Sequence, residues 1–279
     1  MEGLLEWTAP TVPIKEFGVS KFLDLLPQNP NSLPPPGTIY TIIDVGIDSS
    51  RPLSLPSDSY YPPKVQKRGQ FLHRLFSMLH PHPFLVTRFD PQGAVGCVRA
   101  VSKDYVEVMF RLHVEFQLNE PPRLPFWFTP AQFTGRLLMS RNLTKVLHFH
   151  LYVPNDRRLN VDMEWLIDKN DPEVMEVDIG YMPHMELISA GHSKPHDEVA
   201  YESINFPVEL RGMANSSSVK IQWEVEITEN DAMEALAVKF YPFKKVKYYN
   251  LSDAFNVATA EKKLVHSLVL WGALDDQSC

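Results

Sequence analysis

From Val106 to Leu118 apolar side chains fall on every second position: Val106, Val108, Phe110, Leu112, Val114, Phe116 and Leu118 alternate with Glu107, Met109, Arg111, His113, Glu115 and Gln117. A period of two held that long cannot serve a helix and predicts a strand with one buried face. A strand of this kind needs neighbours, and the sequence supplies them. Phe133 to Met139, Lys145 to Val153, Val161 to Ile167 and Val174 to Met182 read as shorter strands, separated by turn residues such as Pro154-Asn155-Asp156 and Lys169-Asn170-Asp171-Pro172. Val219 to Ile227 alternates in the same way. The middle of the chain, residues 64–227, is therefore expected to form a mainly antiparallel β-rich domain.

Both flanks read differently. Nearly half of the chain's 24 prolines lie before residue 64. Proline lacks a backbone donor, so residues 1–63 are expected to be extended, poorly ordered or wrapped on the surface. Gln70 to Leu79 then spaces Phe71, Leu72, Leu75, Phe76 and Leu79 as one helical face, and His80-Pro81 ends it. Beyond the β domain the period changes again. Thr228, with Asp231 three positions on, resembles an N-cap for a helix from Glu229 to Phe240. Lys245 to Tyr249 reads as a short strand. Ser252 reads as the cap of a helix through Lys263 that buries Phe255, Val257 and Ala258. Leu264 to Trp271 is an almost continuous apolar run, as in a strand covered on both faces. The fold class expected is thus α+β, the β-rich domain being followed over 229–279 by a strand-helix-strand unit.

Charge and cysteine content exclude several functions. A formal net charge of -7 leaves no basic surface to neutralise phosphates, so no nucleic-acid partner is expected. No stretch of about 18 uncharged apolar residues occurs, so no transmembrane segment or signal peptide is expected within this sequence. With two cysteines, Cys97 and Cys279, there is neither a disulfide scaffold nor a Cys-rich zinc module. Cys97 sits in an apolar run and reads as a small core residue. His148 with His150, and His80 with His82, share faces but lack a third ligand at recognisable spacing, so no metal is expected. Asp275-Asp276 reads as a solvated pair. Asn142, Asn215 and Asn250 each open an N-x-S/T triplet and are candidate glycan acceptors on the surface. Phe126-Trp127-Phe128, followed by Pro130, reads as core at a strand end. In the alternative reading, a non-enzymatic β-rich interaction module, it is the binding surface.

The remaining candidate is Cys279, on the polar loop Gly272 to Cys279 that leaves the apolar run. Functional groups of α/β sheets collect at that edge, and thioredoxin-like proteins place a cysteine motif there. The run Lys263 to Cys279 (KLVHSLVLWGALDDQSC) resembles the selenoprotein N family, in which selenocysteine and glycine come next. So do PQGAV (Pro91 to Val95), EFQLNEPP (Glu115 to Pro122), PFWFTPAQFTG (Pro125 to Gly135), VDMEWL (Val161 to Leu166), MEVDIGYMP (Met175 to Pro183) and YPFKKV (Tyr241 to Val246).

The resemblance implies a selenocysteine-dependent thiol oxidoreductase, a glycoprotein of the endoplasmic-reticulum membrane linked to calcium homeostasis and skeletal muscle. The reticulum calcium pump and the ryanodine-receptor channel are the partners it implies. It also implies that residues 229–279 are an incomplete thioredoxin-like domain and Cys279 half of a redox pair, with the selenocysteine missing from this chain. The expectation is then a fragment, ended where a UGA codon was read as a stop and begun at a Met1 that is not the native start. Such a chain should have little activity of its own. The family's N-terminal anchor has no counterpart here, and no D-x-[DN]-x-[DN]-G loop supplies its calcium-binding EF-hand, so no cofactor is expected in this chain.

Overall fold

A computed structural model describes residues 17–30, 32–44, 59–65, 68–88, 93–118, 120–122, 124–130, 132–154, 161–166, 175–180, 185–189, 191–193 and 221–269. Among the described residues twelve strands form two antiparallel sheets: β1 (Ile39–Ile43), β2 (Pro83–Phe84), β3 (Ala94–Val101), β4 (Tyr105–Leu112), β5 (Glu115–Gln117), β6 (Phe126–Pro130), β7 (Phe133–Ser140), β8 (Val146–Tyr152), β9 (Val161–Leu166), β10 (Met175–Gly180), β11 (Glu186–Ile188) and β12 (Val225–Glu226). The larger sheet has the order β1-β3-β4-β7-β8-β11, and β12 pairs with β3. The smaller runs β10-β9-β6-β5-β2. The helices are α1 (Val19–Phe22), α2 (Arg68–Phe76), α3 (Glu229–Phe240) and α4 (Leu251–Glu261).

The α+β class with antiparallel sheets is as the sequence implies, but the long alternating stretch is not one strand. It breaks at His113-Val114, leaving β4 in the larger sheet and β5 in the smaller. The chain crosses back between β6 and β7, so the two sheets share a corner and enclose one core. Phe110, Phe133, Leu137 and Phe149 enter it from the larger sheet, and Phe116 and Phe128 from the smaller. Two glycines on the core face make room for rings. A Cβ on Gly135 would collide with the ring of Phe110, its partner across β4–β7, and one on Gly96 would collide with Tyr40.

The described part of the Pro-rich segment joins this body. β1 pairs with β3, Leu25 and Leu26 are fully buried, and the Tyr40 hydroxyl donates to the Leu25 carbonyl at 2.8 Å. α2 covers the same core with Phe71, Leu72, Leu75 and Phe76, ending three residues earlier than the pattern suggests.

The alternating stretch also departs from expectation in its second face, which is buried rather than solvated. Glu107, Arg111, His113, Glu115 and Gln117 are each at most 2% exposed. The cover over β3 and β4 is α3, whose Ala232, Leu236, Ala237 and Phe240 pack on Val95, Cys97 and Met109. Thr228 caps α3, accepting the Asp231 amide at 3.1 Å, as the sequence suggests.

Downstream, four expectations fail. Val219 to Ile227 pairs as a strand only at Val225–Glu226 among its described residues. Lys245 to Tyr249 is no strand: a 3-10 turn over Pro242–Lys245 leads into exposed irregular chain. α4 is capped by Asn250, not Ser252, and buries no residue, with Phe255 57% exposed. Residues 264–269 of the apolar run are neither strand nor covered. A lone apolar segment forms no ladder without a neighbour to bond, and no described strand lies beside it. The thioredoxin-like strand-helix-strand unit is therefore not formed among the described residues.

Candidate functional site

The most developed polar arrangement lies between the larger sheet and α3. On β3 a bulge sets both Arg99 and Ala100 against the single residue Glu107 of β4. Arg99, two residues after Cys97, lies on the α3 side, where its Nε donates to Glu107 Oε2. The other Glu107 oxygen, Oε1, accepts from Arg136 Nε of β7 at 2.5 Å. Arg99 Nη1 also reaches Glu226 Oε2 at 2.9 Å and the Ile227 carbonyl at 3.2 Å, while its guanidinium lies over the Trp223 ring at 5.2 Å. Arg136 Nη1 stands 3.8 Å from Glu229 Oε2 on the first turn of α3. Burial pushes the Arg99 pKa below its ordinary value, and the hydrogen bond that Arg99 donates to Glu226 opposes that shift. The network ties three sheet strands to β12 and to the start of α3.

A second contact fixes the other end of the helix. Arg111 Nη2 donates to the Tyr241 hydroxyl at 3.2 Å, and that hydroxyl lies 3.3 Å from His113 Nε2. The Arg111 guanidinium sits 4.8 Å over the Tyr241 ring. On the smaller sheet, Glu115 Oε2 accepts from the Arg88 amide and from Arg88 Nε at 3.0 and 3.2 Å. Arg88 Nη2 continues to Thr129 at 3.2 Å, with the guanidinium 5.0 Å over Trp127. Of these contacts, the Arg99–Glu107 and Arg88–Glu115 pairs are enclosed and fix geometry.

The residues singled out by sequence are scattered. Cys279 and Asn215 lie outside the described residues, as do Asp275 and Asp276. Asn142 is exposed on the β7–β8 turn, its Oδ1 accepting from the Thr144 hydroxyl and the Ser140 hydroxyl, both at 2.7 Å. It borders an open depression of about 490 Å³ between the β3–β4 and β7–β8 turns, lined by Lys103, Asp104, Arg141 and Lys145 among others. Asn250 is exposed at the start of α4, with Nδ2 donating to Asp253 Oδ2 at 2.6 Å.

Cys97 is fully buried under α3, and burial raises its thiol pKa. His148 and His150 do share a face, with ring centroids 6.2 Å apart, and His150 pairs with Glu186 at 3.3 Å. His82 instead meets Glu120 at 3.1 Å. No three His, Cys, Asp or Glu side chains converge as a metal site among the described residues. Trp127 and Phe128 are fully buried, so that aromatic block is core and not the binding surface of the alternative reading.

The sequence does not reveal the Arg99–Glu107–Arg136 cluster, because only the register of β3, β4 and β7 brings its members together. The available signal is Glu107 and Arg111 four residues apart on one strand face, with an amphipathic helix arriving later to cover them.

No family model matches the chain, and no solved structure matches it. Among the described residues no helix is long and apolar enough to cross a membrane. Selenoprotein N of Homo sapiens is 45% identical over 281 residues, which take in 100% of this chain and 47% of the relative. Selenoprotein N of Danio rerio is 44% identical over 283 residues, with 100% of this chain and 50% of the relative covered. That of Mus musculus is 44% identical over 281 residues, with the same coverage of 100% and 50%. The chain is a homologue of selenoprotein N along its whole length and spans about half the length of those relatives.

Proposed function

We propose that the chain is part of a selenocysteine-dependent thiol oxidoreductase of the endoplasmic reticulum, in which Cys279 and an adjacent selenocysteine form the redox pair. The observation that carries this reading is identity of 44–45% across the entire chain to proteins named as selenoproteins. The resemblance of Lys263 to Cys279 to the family's redox segment supplies the residue.

In this chemistry the oxidised site is a Se–S bond. A substrate thiolate attacks selenium and Cys279 leaves as the thiolate, taking a proton. The substrate's second thiol then attacks the mixed S–Se bond and expels selenolate, so the dithiol loses two electrons and becomes a disulfide. Selenium suits both steps, because a selenol ionises at neutral pH and is the better leaving group. The same resemblance supports a place at the reticulum membrane, glycans at Asn142, Asn215 and Asn250, a link to calcium homeostasis in skeletal muscle, and the calcium pump and ryanodine-receptor channel as partners.

The test compares this chain with versions continued through selenocysteine, or through a cysteine in its place, on one disulfide-linked substrate with a dithiol reductant. Turnover is expected when the second chalcogen stands beside Cys279 and should vanish on Cys279→Ser. Equal turnover by all forms would refute the pair.

A second reading concerns the β body alone. Among its described residues the only cysteine is Cys97, buried and with its pKa raised, so this body serves as scaffold or interaction module and does not itself react.

A further inference from the structure

The β3–β4 and β7–β8 turns lie at the same end of the larger sheet, because Tyr105 and Ser140 are paired across β4 and β7. They are bonded to each other, the Arg141 amide donating to the Asp104 carbonyl at 2.7 Å. Each is also closed on itself. The Tyr105 amide donates to the Ser102 hydroxyl at 3.0 Å, and the Lys145 amide to the Ser140 hydroxyl at 3.0 Å. Leu143 holds a left-handed φ of 62°, which a side chain disfavours, and it does so while packing against the core. Turn residues ordinarily move apart from one another in solvent. This frame instead holds the backbone of both turns around one volume, the depression of about 490 Å³.

That volume is in the range of small-ligand sites, about 300–1,000 Å³. Its chemistry is polar, Leu147 being the one aliphatic residue among the described residues that line it. Lys103, Arg141 and Lys145 stand there against the single carboxylate of Asp104, a surplus of two positive charges on a chain of net charge -7. Lys103 and Arg141 are exposed, and neither has an ion-pair partner among the described residues.

A surplus of two positive charges in a small polar depression selects a small dianion. A phosphomonoester carries about −1.5 to −2 charges at pH 7 and three strong acceptor oxygens. A guanidinium meets two of those oxygens with parallel bonds, and an ammonium meets the third as a point charge. A carboxylate ligand would leave one of the two positive charges unmatched. A long run of phosphates would pass beyond the depression onto a surface whose net charge repels it.

We propose that the depression between the β3–β4 and β7–β8 turns binds a phosphomonoester, held by Arg141, Lys103 and Lys145. The readout is binding and not turnover, so the outcome is independent of the redox reading.

The titrations use the unglycosylated chain, because Asn142 stands on the rim. Glycerol 3-phosphate is added while the amide resonances of residues 102–105 and 140–145 are followed by NMR. Saturable shifts are expected at both turns, with none from glycerol, and the affinity should fall as salt rises from about 50 to about 200 mM. Arg141→Gln and Lys103→Gln, both on exposed turns, should each weaken binding about 10-fold and leave the melting temperature unchanged. Asp104→Asn removes the opposing charge and keeps the backbone contact to Arg141, so it should tighten binding about threefold. A second arm locates the phosphate. Flotation with phosphatidylcholine vesicles that carry phosphatidic acid, and not with phosphatidylcholine alone, supports the site as one for a lipid headgroup. Saturable binding of glycerol 3-phosphate without flotation supports it as one for a free phosphomonoester. The proposal is overturned if neither probe binds, if the shifts fall outside these turns, or if Arg141→Gln and Lys103→Gln bind as the parent does.

Discussion

Glu107 and Arg99 meet across the β3–β4 pair on the face that α3 covers, the Arg99 Nε donating to a carboxylate that is 1% exposed. Arg136 binds the same carboxylate from the opposite strand. Removing the Glu107 carboxylate would leave the enclosed Arg99 and the part-buried Arg136 without their shared partner. Glu107→Ala is therefore expected to lower unfolding stability by roughly 3–5 kcal/mol. Glu229, whose side chain is 47% exposed and 3.8 Å from Arg136, should cost under about 1 kcal/mol when changed to alanine. Urea unfolding of both variants checks the contrast. Similar losses would mean the enclosed pair contributes no more than the exposed one.

The Phe110 ring lies where the Cβ of residue 135 would be, so Gly135→Ala must push it into a filled core. A loss of about 1–3 kcal/mol is expected. Shortening the neighbour with Phe110→Leu in the same chain should recover part of it. A double-mutant cycle measures this, and strict additivity would show that the two positions do not collide.

His148 is 6% exposed, and burial, with Arg136, His150 and His192 nearby, pushes its pKa down to about 4. The unfolded chain holds the proton below about 6.5, so between those values it binds more protons than the folded one. Stability is complete above about pH 6.5 and falls as the pH drops toward 4, by an amount on the order of 2 kcal/mol from this group. His80, also held near 4 by burial, acts with the same sign. Melting temperatures at pH 5 and pH 7.5 should differ less in His148→Gln than in the parent. An unchanged difference would assign the pH dependence elsewhere.

Asn142 is exposed on its turn, its Oδ1 accepting from the Thr144 hydroxyl. Expressed behind a secretion signal, the chain should carry a glycan there, and Asn142→Gln should remove one endoglycosidase-sensitive step in gel mobility. Identical mobility of parent and variant would exclude the site.

Local sequence settled the elements whose pattern and boundaries are written in their own residues. α3 is legible from Thr228 through Phe240 because its cap, its apolar spacing and its end all lie within those residues. β7 and β8 are legible for the same reason, alternation bounded by turns. Alternation also assigned Val106, Val108, Phe110 and Leu112 correctly to one buried face. It could not say what covers the other face, because that cover is α3, more than a hundred residues later in the chain. Nor could it place the break at His113-Val114, where the chain leaves one sheet for the other. The charged positions of β4 resemble a solvated face in sequence, and only the arrival of α3, Arg99, Arg136 and Tyr241 makes them interior. The run from Leu264 shows the converse. Its apolar residues advertise a strand, but a strand is a relation between two backbones, and among the described residues no second backbone lies beside it.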